Sequence, residues 1–411
     1  MSYQYSKLEN GIRLVHRKVK GSVSHCALMV NTGSRDEKPH ENGMAHFIEH
    51  MIFKGTRKRK AYHVLSRIEN IGGDLNAFTT KEETCIYASF LSPYYEHSLE
   101  LFADVAFNSV FPQKEIAKEK DVIIDEINSY QDSPAELIFD DFEDLLFRDH
   151  PLGRNILGTI ETVGGIRRND IFRFIKNNYS TDQMVIGSVG DIPFKKLETL
   201  ARKHFGSIRP SGASHGRKPF SLYLPKNHST QKDSYLTHAI TGNLAYPRNH
   251  PKRLTLAVVT NLLGGPALNS RLNLAIREKY GYAYSIEAVY QPYSDTGMFG
   301  VYLGTDRNNI EKSLRLVHKE LKKLSDQKLG TMQLHRAKRQ VMGQLAISLE
   351  SRLSEMLGIA KNHLHDGYVK TVEEIMEEIH QISAGDVLEV AEEIFNPDQM
   401  SNLVYQSKEE A

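Results

Sequence analysis

Two halves of similar length flank a short segment that lacks apolar periodicity. Residues 206–219 (GSIRPSGASHGRKP) are dense in Gly, Pro and Ser, which is typical of an interdomain linker. Across this segment, residues 97–102 (HSLELF) match residues 312–317 (KSLRLV), and each hexapeptide follows a strand-like stretch and precedes a long helical one. The sequence therefore predicts two homologous domains, residues 1–205 and 220–411, with the linker between them.

Each domain is expected to be of the α+β class, with an antiparallel sheet packed against helices. In the first domain, residues 12–17 and 23–30 alternate or run apolar as strands do. Residues 75–80 and 84–91 resemble a hairpin, and helices are expected to dominate from residue 95 to about residue 130.

The composition is that of a globular protein, with 40% apolar and 25% charged residues among 411. A formal net charge of +1 favours neither a nucleic-acid nor a membrane partner, and no run approaches the roughly 18 apolar residues of a membrane span. The basic run 54–60 is interpreted as a solvated loop. Cys26 and Cys85 lack metal-binding spacing, and residues 1–11 lack a hydrophobic signal core, so a reducing, cytoplasmic location is expected.

Residues 46–50 (HFIEH) set two imidazoles four residues apart, with a carboxylate beside the second. In a helix, His46 and His50 would lie on one face, close enough for both rings to reach one metal ion. The spacing is that of the inverted zinc-protease motif, in which Glu49 would act on water. The alternative is a helix with two core histidines, each satisfied by a backbone partner.

A catalytic zinc ion takes three protein ligands, so a further acidic ligand is needed. In the helical segment 114–130, Glu119 and Glu126 fall on the face that also carries Val122 and Ile123. Because a carboxylate directed into a core is costly without a compensating cation, this pair favours a metal site.

The second half does not repeat these chemical groups. Aligning the halves pairs the motif with residues 256–260 (LAVVT), and it places Ala337 and Gln344 where the first half has Glu119 and Glu126. Helical periodicity survives there, whereas the histidines and glutamates are replaced. The joint loss indicates a joint role in the first half.

Four segments together carry a family resemblance, and they span much of the first half. They are residues 42–56 (NGMAHFIEHMIFKGT), 76–79 (NAFT), 119–126 (EKDVIIDE) and 150–158 (HPLGRNILG). The chain resembles the pitrilysin/insulinase family of inverted zinc metallopeptidases, especially its short members similar to mitochondrial processing peptidase. With a second-half match described below, the resemblance covers nearly the whole chain.

The resemblance implies one Zn²⁺ per chain, with His46, His50 and Glu126 as its ligands. It also implies that Glu49 is the general base acting on zinc-bound water and that Glu119 is a supporting acid outside the ligand set. These assignments place the chemistry in the first domain.

In the second half, residues 274–284 (LAIREKYGYAY) contain Arg277 and Tyr284. They resemble the Arg and Tyr with which family members hold substrate near the metal. Without the resemblance, Arg277 is interpreted as a helix-end cation and Tyr284 as a strand aromatic.

The expected function is that of a zinc-dependent endopeptidase hydrolysing short or unfolded peptides in a chamber formed by two chains, most simply a homodimer. Peptide would add as a strand along Asn76, Ala77 and Phe78, for which an ordinary edge strand is the alternative. Each active site is expected to borrow Arg277 and Tyr284 from the partner chain. A non-hydrolytic structural subunit of a larger complex and a peptidase that processes targeting sequences remain the alternatives.

Overall fold

The computed structural model describes residues 2–212 and 216–408, which form two compact units. The first unit consists of Met1–Ile127, Arg154–Arg217 and Ile347–Thr371. The second unit consists of Asn128–Gly153, Lys218–Ala346 and Val372–Ala411. No helix in the described part of the chain combines the length and apolar character that crossing a bilayer requires.

The strands are short and form one sheet in each unit. In chain order they are β1 (Gln4–Lys7), β2 (Arg13–Lys18), β3 (Val23–Val30), β4 (Asp74–Thr79), β5 (Thr84–Leu91), β6 (Met184–Gly190), β7 (Asn227–Lys232), β8 (Thr237–Ala245), β9 (Ala283–Pro292), β10 (Gly297–Thr305) and β11 (Ser401–Ser407).

The helices lie between these strands in the sequence. In chain order they are α1 (Met44–Met51), α2 (Ala61–Glu69), α3 (Tyr95–Asn108), α4 (Gln113–Gln131), α5 (Pro134–Leu146), α6 (Ile160–Gly165), α7 (Arg168–Asn178), α8 (Phe194–Phe205), α9 (Arg253–Gly264), α10 (Ile310–Asp326), α11 (Thr331–Ser348), α12 (Arg352–Asp366), α13 (Val372–Gln381) and α14 (Ala384–Ile394).

The two sheets follow one plan. The first has the order β1-β2-β6-β3-β5-β4, and the second has the order β7-β11-β8-β10-β9. The pairs β2/β6 and β7/β11 are parallel, whereas the other neighbouring pairs are antiparallel. Apart from β1, each strand of the first sheet has a counterpart at the same place in the second. The predicted α+β class with two homologous domains is confirmed, with one parallel pair in each sheet.

The compact units are not the contiguous halves 1–205 and 220–411 expected from the sequence. Helix α12 belongs to the first unit and packs on β6 and β3, whereas α5 belongs to the second unit and packs on β8 and β11. At the closest approach of α12, a Cβ on Gly187 would lie 2.6 Å from the Cβ of Ala360. The reason for the difference is tertiary: each helix buries its apolar side on a sheet formed mainly by the other half of the sequence, which local periodicity does not reveal. Among its described residues, the stretch 209–226 that contains most of the expected linker has neither helix nor strand.

Candidate metal centre

The motif helix α1 begins at a residue whose backbone favours glycine. Gly43 has φ 92°, in the left-handed region, and it immediately precedes Met44–Met51. His46 and His50 lie one turn apart on this helix, and their ring centroids are 4.6 Å apart. The two imidazoles therefore lie side by side, as the spacing predicts.

Glu126 on α4 approaches both imidazoles. The Nε2 atom of His46 is 3.8 Å from Oε1 of Glu126, and the Nε2 atom of His50 is 3.7 Å from its Oε2. One ligand atom from each residue lies within 4.8 Å of the others. These separations are too long for hydrogen bonds, yet they allow one cation to bridge all three groups. Two imidazoles and a carboxylate are also a donor set of catalytic zinc, so the residues present fit this ion.

The two glutamates of α4 differ in burial, although both were expected on its apolar face. Glu119 is buried, whereas the side chain of Glu126 is 43% exposed and Val122 is 48% exposed. A catalytic metal must be accessible to water and substrate, so an exposed position suits Glu126 as a ligand better than a sealed one.

Glu119 contacts His50 from the side away from Glu126. Its Oε2 lies 3.1 Å from Nδ1 of His50, and its Oε1 lies 2.6 Å from Nζ of Lys54. Because a carboxylate can only accept, Nδ1 of His50 carries the proton and Nε2 keeps its lone pair for a metal. Glu119 therefore lies where a supporting acid would act. Lys54, interpreted from the sequence as the start of a solvated loop, instead forms an ion pair with this acid.

The environment of His46 keeps its imidazole neutral. Burial, with a smaller contribution from the nearby His50, lowers the pKa of His46 to about 4. A histidine must be deprotonated to bind a metal, so His46 is in the required form at neutral pH.

Glu49 points into the same region without joining the three converging groups. Burial raises the pKa of its carboxyl above the ordinary value; Thr79 and His50 offset part of this rise, and the neighbouring Glu126 adds to it. A raised pKa brings a carboxylate closer to the value that suits a proton acceptor near neutral pH. Its position and environment suit the role of a base.

A buried carboxylate holds the start of α1, and sequence reasoning missed it. Oε1 of Glu37 accepts a hydrogen bond from the N–H of Ala45 at 2.8 Å, and Oε2 accepts one from the N–H of Gly43 at 2.9 Å. The side chain of Asn42 donates a further bond, at 3.1 Å. Burial raises the pKa of Glu37 to about 8 although these hydrogen bonds lower it in part, so its main contribution is to satisfy free N–H groups at the helix start. An acidic residue six positions before a glycine-initiated helix was the available signal.

The predicted peptide-binding residues Asn76, Ala77 and Phe78 lie on β4, which is the outermost strand of the first sheet. Strand β4 pairs with β5, and α1 packs against it. The exposed Asn76 bends back, so that its Oδ1 accepts the N–H of Ala77 at 2.8 Å. The edge position makes strand addition sterically feasible, while the binding role itself stays a prediction.

Arg277 and Tyr284 lie in the second unit. Arg277 is in a π-helical turn, Asn273–Glu278, and Tyr284 is on β9, where its hydroxyl donates to Asp306 at 3.3 Å. Both side chains are well exposed, and both line one cavity of about 850 Å³. The structure thus brings the pair together, while their contact with substrate stays a prediction.

A repeated α+β fold with an H-x-x-E-H helix and a distant glutamate defines the class of inverted zinc peptidases. Residues 13–160 match the family model described as Insulinase (Peptidase family M16), and residues 165–341 match the model described as Peptidase M16 inactive domain. The chain belongs to peptidase family M16, and it resembles the short members of that family.

Similar proteins cover almost all of the chain. An uncharacterized zinc protease of Bacillus subtilis, YmxG, is 33% identical over 96% of both proteins. The mitochondrial-processing peptidase subunit beta of Saccharomyces cerevisiae is 30% identical over 93% of this chain and 86% of its own. A crystal structure of a Helicobacter pylori protease superposes with a TM-score of 0.91 at 22% identity, covering 98% of this chain and 99% of the other. Family and names together support a zinc-dependent M16 protease.

Proposed function

We propose that this protein is a zinc-dependent endopeptidase that hydrolyses short or unfolded peptides. The observation that carries the proposal is the convergence of His46, His50 and Glu126, with Glu49 directly beside them on α1. His46, His50 and Glu126 would hold a zinc ion, which would supply a Lewis acid able to polarise a peptide carbonyl and acidify water.

The residues of the chain perform the proton transfers. Glu49 accepts the proton of the attacking water and delivers it to the departing amine, for which its raised pKa is favourable. Glu119 keeps His50 oriented, with Nδ1 protonated, throughout the reaction.

Peptide is proposed to add to the free edge of β4 along Asn76, Ala77 and Phe78. Main-chain pairing at a sheet edge binds extended chains with little dependence on their sequence, and only short or unfolded peptides present an extended chain. Arg277 would hold the peptide backbone or a carboxylate, and Tyr284 would donate a hydrogen bond to the oxyanion. Both side chains are exposed at one cavity, as such contacts require.

We further propose that two copies of the chain form a homodimer around the substrate. Family relatives built from four such domains in one chain enclose a chamber. This chain has two such domains, so two chains together would provide four. In this arrangement Arg277 and Tyr284 of one chain serve the metal centre of the other.

The test uses purified full-length protein, analysed for bound metal and assayed on an unstructured fluorogenic peptide. We expect about one zinc ion per chain, loss of hydrolysis with chelator and recovery when zinc is added. Glu49→Gln should lower kcat by at least about a hundredfold while zinc stays bound, because the carboxylate moves protons and is not a ligand. Asp121→Asn, on the exposed side of α4, is the matched control and should behave like wild type. Hydrolysis that resists chelator, or a fully active Glu49→Gln variant, contradicts the proposal.

A second candidate is a peptidase that cuts targeting sequences, which the similarity to the yeast mitochondrial-processing peptidase subunit favours. The chemistry would be the same and the selectivity different. Comparing kcat/KM for a basic amphipathic presequence-like peptide with that for a scrambled peptide of equal composition separates the two. A preference of tenfold or more supports processing. Similar values support a general peptidase, and a protein that binds zinc without cutting either peptide would be a structural subunit.

A further inference from the structure

Arg217 is a mostly buried side chain in a segment whose described residues are largely exposed. It lies between α8 and β7, and the residues on either side of it are exposed. The side chain of Arg217 itself is only 12% exposed. Burying a guanidinium from such a segment is costly unless charged partners compensate it, so the contacts of Arg217 are informative.

Arg217 holds Asp36 with two parallel hydrogen bonds. Nε donates to Oδ1 at 2.8 Å, and an Nη atom donates to Oδ2 at 2.8 Å, which is the geometry that a guanidinium fork permits and an ammonium does not. The Nη atom that donates to Oδ2 of Asp36 also donates to the main-chain carbonyl of Glu82, at 2.9 Å. The carboxylate of Glu82 is bound in turn by Arg35 at 2.7 Å, and both of those side chains are almost completely buried.

The segments that Arg217 connects are those that flank the metal centre. Asp36 directly precedes Glu37, the carboxylate that binds the first N–H groups of α1. Glu82 lies in the turn that follows β4, the proposed peptide-binding strand. The N–H of Arg35 also donates to the carbonyl of Lys81 at 2.8 Å, so the two segments are joined directly as well.

We propose that Arg217 is a positioning residue for the metal centre. Through Asp36 and Glu37 it determines where α1 begins, and therefore where His46 and His50 are placed. Through Glu82 it determines where β4 ends. This inference rests on the proposed zinc function, but it assigns a role to a residue outside the proposed metal ligands and the proposed peptide-binding residues.

The test compares three variants of the full-length protein. Arg217→Met removes the charge and the fork, Arg217→Lys keeps the charge and loses the fork, and Arg209→Met changes an exposed arginine of the same segment as the matched control. Each variant is measured for zinc dissociation constant by competition with a chromophoric chelator, for kcat and KM on an unstructured peptide, and for the unfolding temperature of the zinc-free form.

We expect the zinc dissociation constant of Arg217→Met to rise about tenfold or more, as for other residues that orient metal ligands. The kcat should fall more than KM rises. Arg217→Lys should lie between Arg217→Met and wild type, and Arg209→Met should match wild type. If Arg217→Met does not fold, a raised zinc dissociation constant in Arg217→Lys still supports the proposal.

Two results overturn the proposal. One is a lower unfolding temperature with unchanged zinc affinity and kcat, which would make Arg217 a purely structural residue. The other is wild-type zinc affinity in Arg217→Lys when Arg217→Met cannot be purified. If the wild-type protein hydrolyses no peptide at all, the proposed function fails, but the zinc measurement still decides the role of Arg217.

Discussion

Glu119 contacts His50 rather than the prospective zinc ion, so its contribution is best measured as zinc affinity. Glu119→Gln replaces an acceptor oxygen by an amide that can donate, which weakens the preference for a proton on Nδ1 of His50. We expect a loss of roughly 10-fold to 100-fold in zinc affinity, with most of the kcat retained at saturating zinc. Glu115→Gln, on the surface of the same helix, is the control. Equal zinc affinity in Glu119→Gln and wild type would remove Glu119 from the metal centre.

The lowered pKa of His46 predicts that the zinc-free protein becomes less stable to unfolding in acid. The pKa of this histidine is about 4 in the folded state, against 6.5 for an unperturbed histidine. Between pH 6.5 and pH 4 the unfolded chain binds the proton more readily than the folded protein does. The contribution of His46 to the free energy of unfolding is therefore fully present above about pH 6.5 and decreases as the pH falls towards 4. The loss attributable to His46 reaches about 3 kcal/mol at most.

Urea unfolding of the zinc-free protein at pH 7 and pH 4.5 checks this prediction. His363 also has a pKa lowered to about 4 by burial, so the comparison must be made between wild type and His46→Asn. The variant should lose less stability between the two pH values than wild type does. Identical losses in the two proteins would show that His46 is not the group responsible.

At the scale of elements, a buried acid fastens α12 to the first sheet. Glu83, which directly precedes β5, accepts a hydrogen bond from His365 and pairs with Lys361 at 3.0 Å, both on α12. Burial by itself would raise the pKa of Glu83, but the hydrogen bond from His365 and the charge of Lys361 outweigh it and hold that pKa well below its ordinary value.

Glu83→Gln should therefore destabilise the protein by about 3 kcal/mol at pH 7, because it removes the buried carboxylate that accepts the His365 hydrogen bond and pairs with the charge of Lys361. For a depressed carboxyl pKa, the stabilisation is present above the unfolded-state value of about 4.5 and is lost as the pH falls below it. The difference in unfolding free energy between Glu83→Gln and wild type, measured by urea unfolding, should consequently be smaller at pH 3 than at pH 7. Glu350→Gln, an exposed acid just before α12, is the control. A larger difference in unfolding free energy at pH 3 than at pH 7 would contradict the assigned role of Glu83.

Local patterns were sufficient for many of the elements. Strands β2, β3, β4 and β5 and helix α4 lie within a residue or two of their predicted positions, because their apolar periodicity is set by which face each residue buries. The placement of α5 and α12 on their sheets and the ion pair between Lys54 and Glu119 were not predicted. Each depends on residues distant in sequence, whose contacts leave no local pattern.

At the scale of the whole molecule, the two repeats share a fold, but only the first carries the proposed metal ligands and base. Helices α1 and α9 occupy equivalent places beside equivalent sheets, yet only α1 carries the motif. Helices α4 and α11 likewise correspond, and α11 has Ala337 and Gln344 where α4 has its glutamates. The second unit instead presents Arg277 and Tyr284 at its cavity. The proposed function assigns roles to residues of both kinds of unit.

The proposed sharing of sites between two chains makes a quantitative prediction. Glu49→Gln lacks the base and Arg277→Ala lacks the substrate contact, so each variant alone should be inactive. In a symmetric dimer with shared sites, a hybrid has one site with both intact residues and one site with neither. With free exchange half the dimers are hybrids, so an equimolar mixture should recover about a quarter of wild-type activity.

The two inactive proteins should be mixed, exchanged at low protein concentration and assayed on the same fluorogenic peptide. A mixture of Glu49→Gln with Glu49→Gln,Arg277→Ala is the control, because it contains no intact base and should stay inactive under either arrangement. If each chain instead used its own Arg277, every site in the hybrid would lack one of the two residues. The mixture would then be no more active than its components, and the metal centre would have to be completed within one chain.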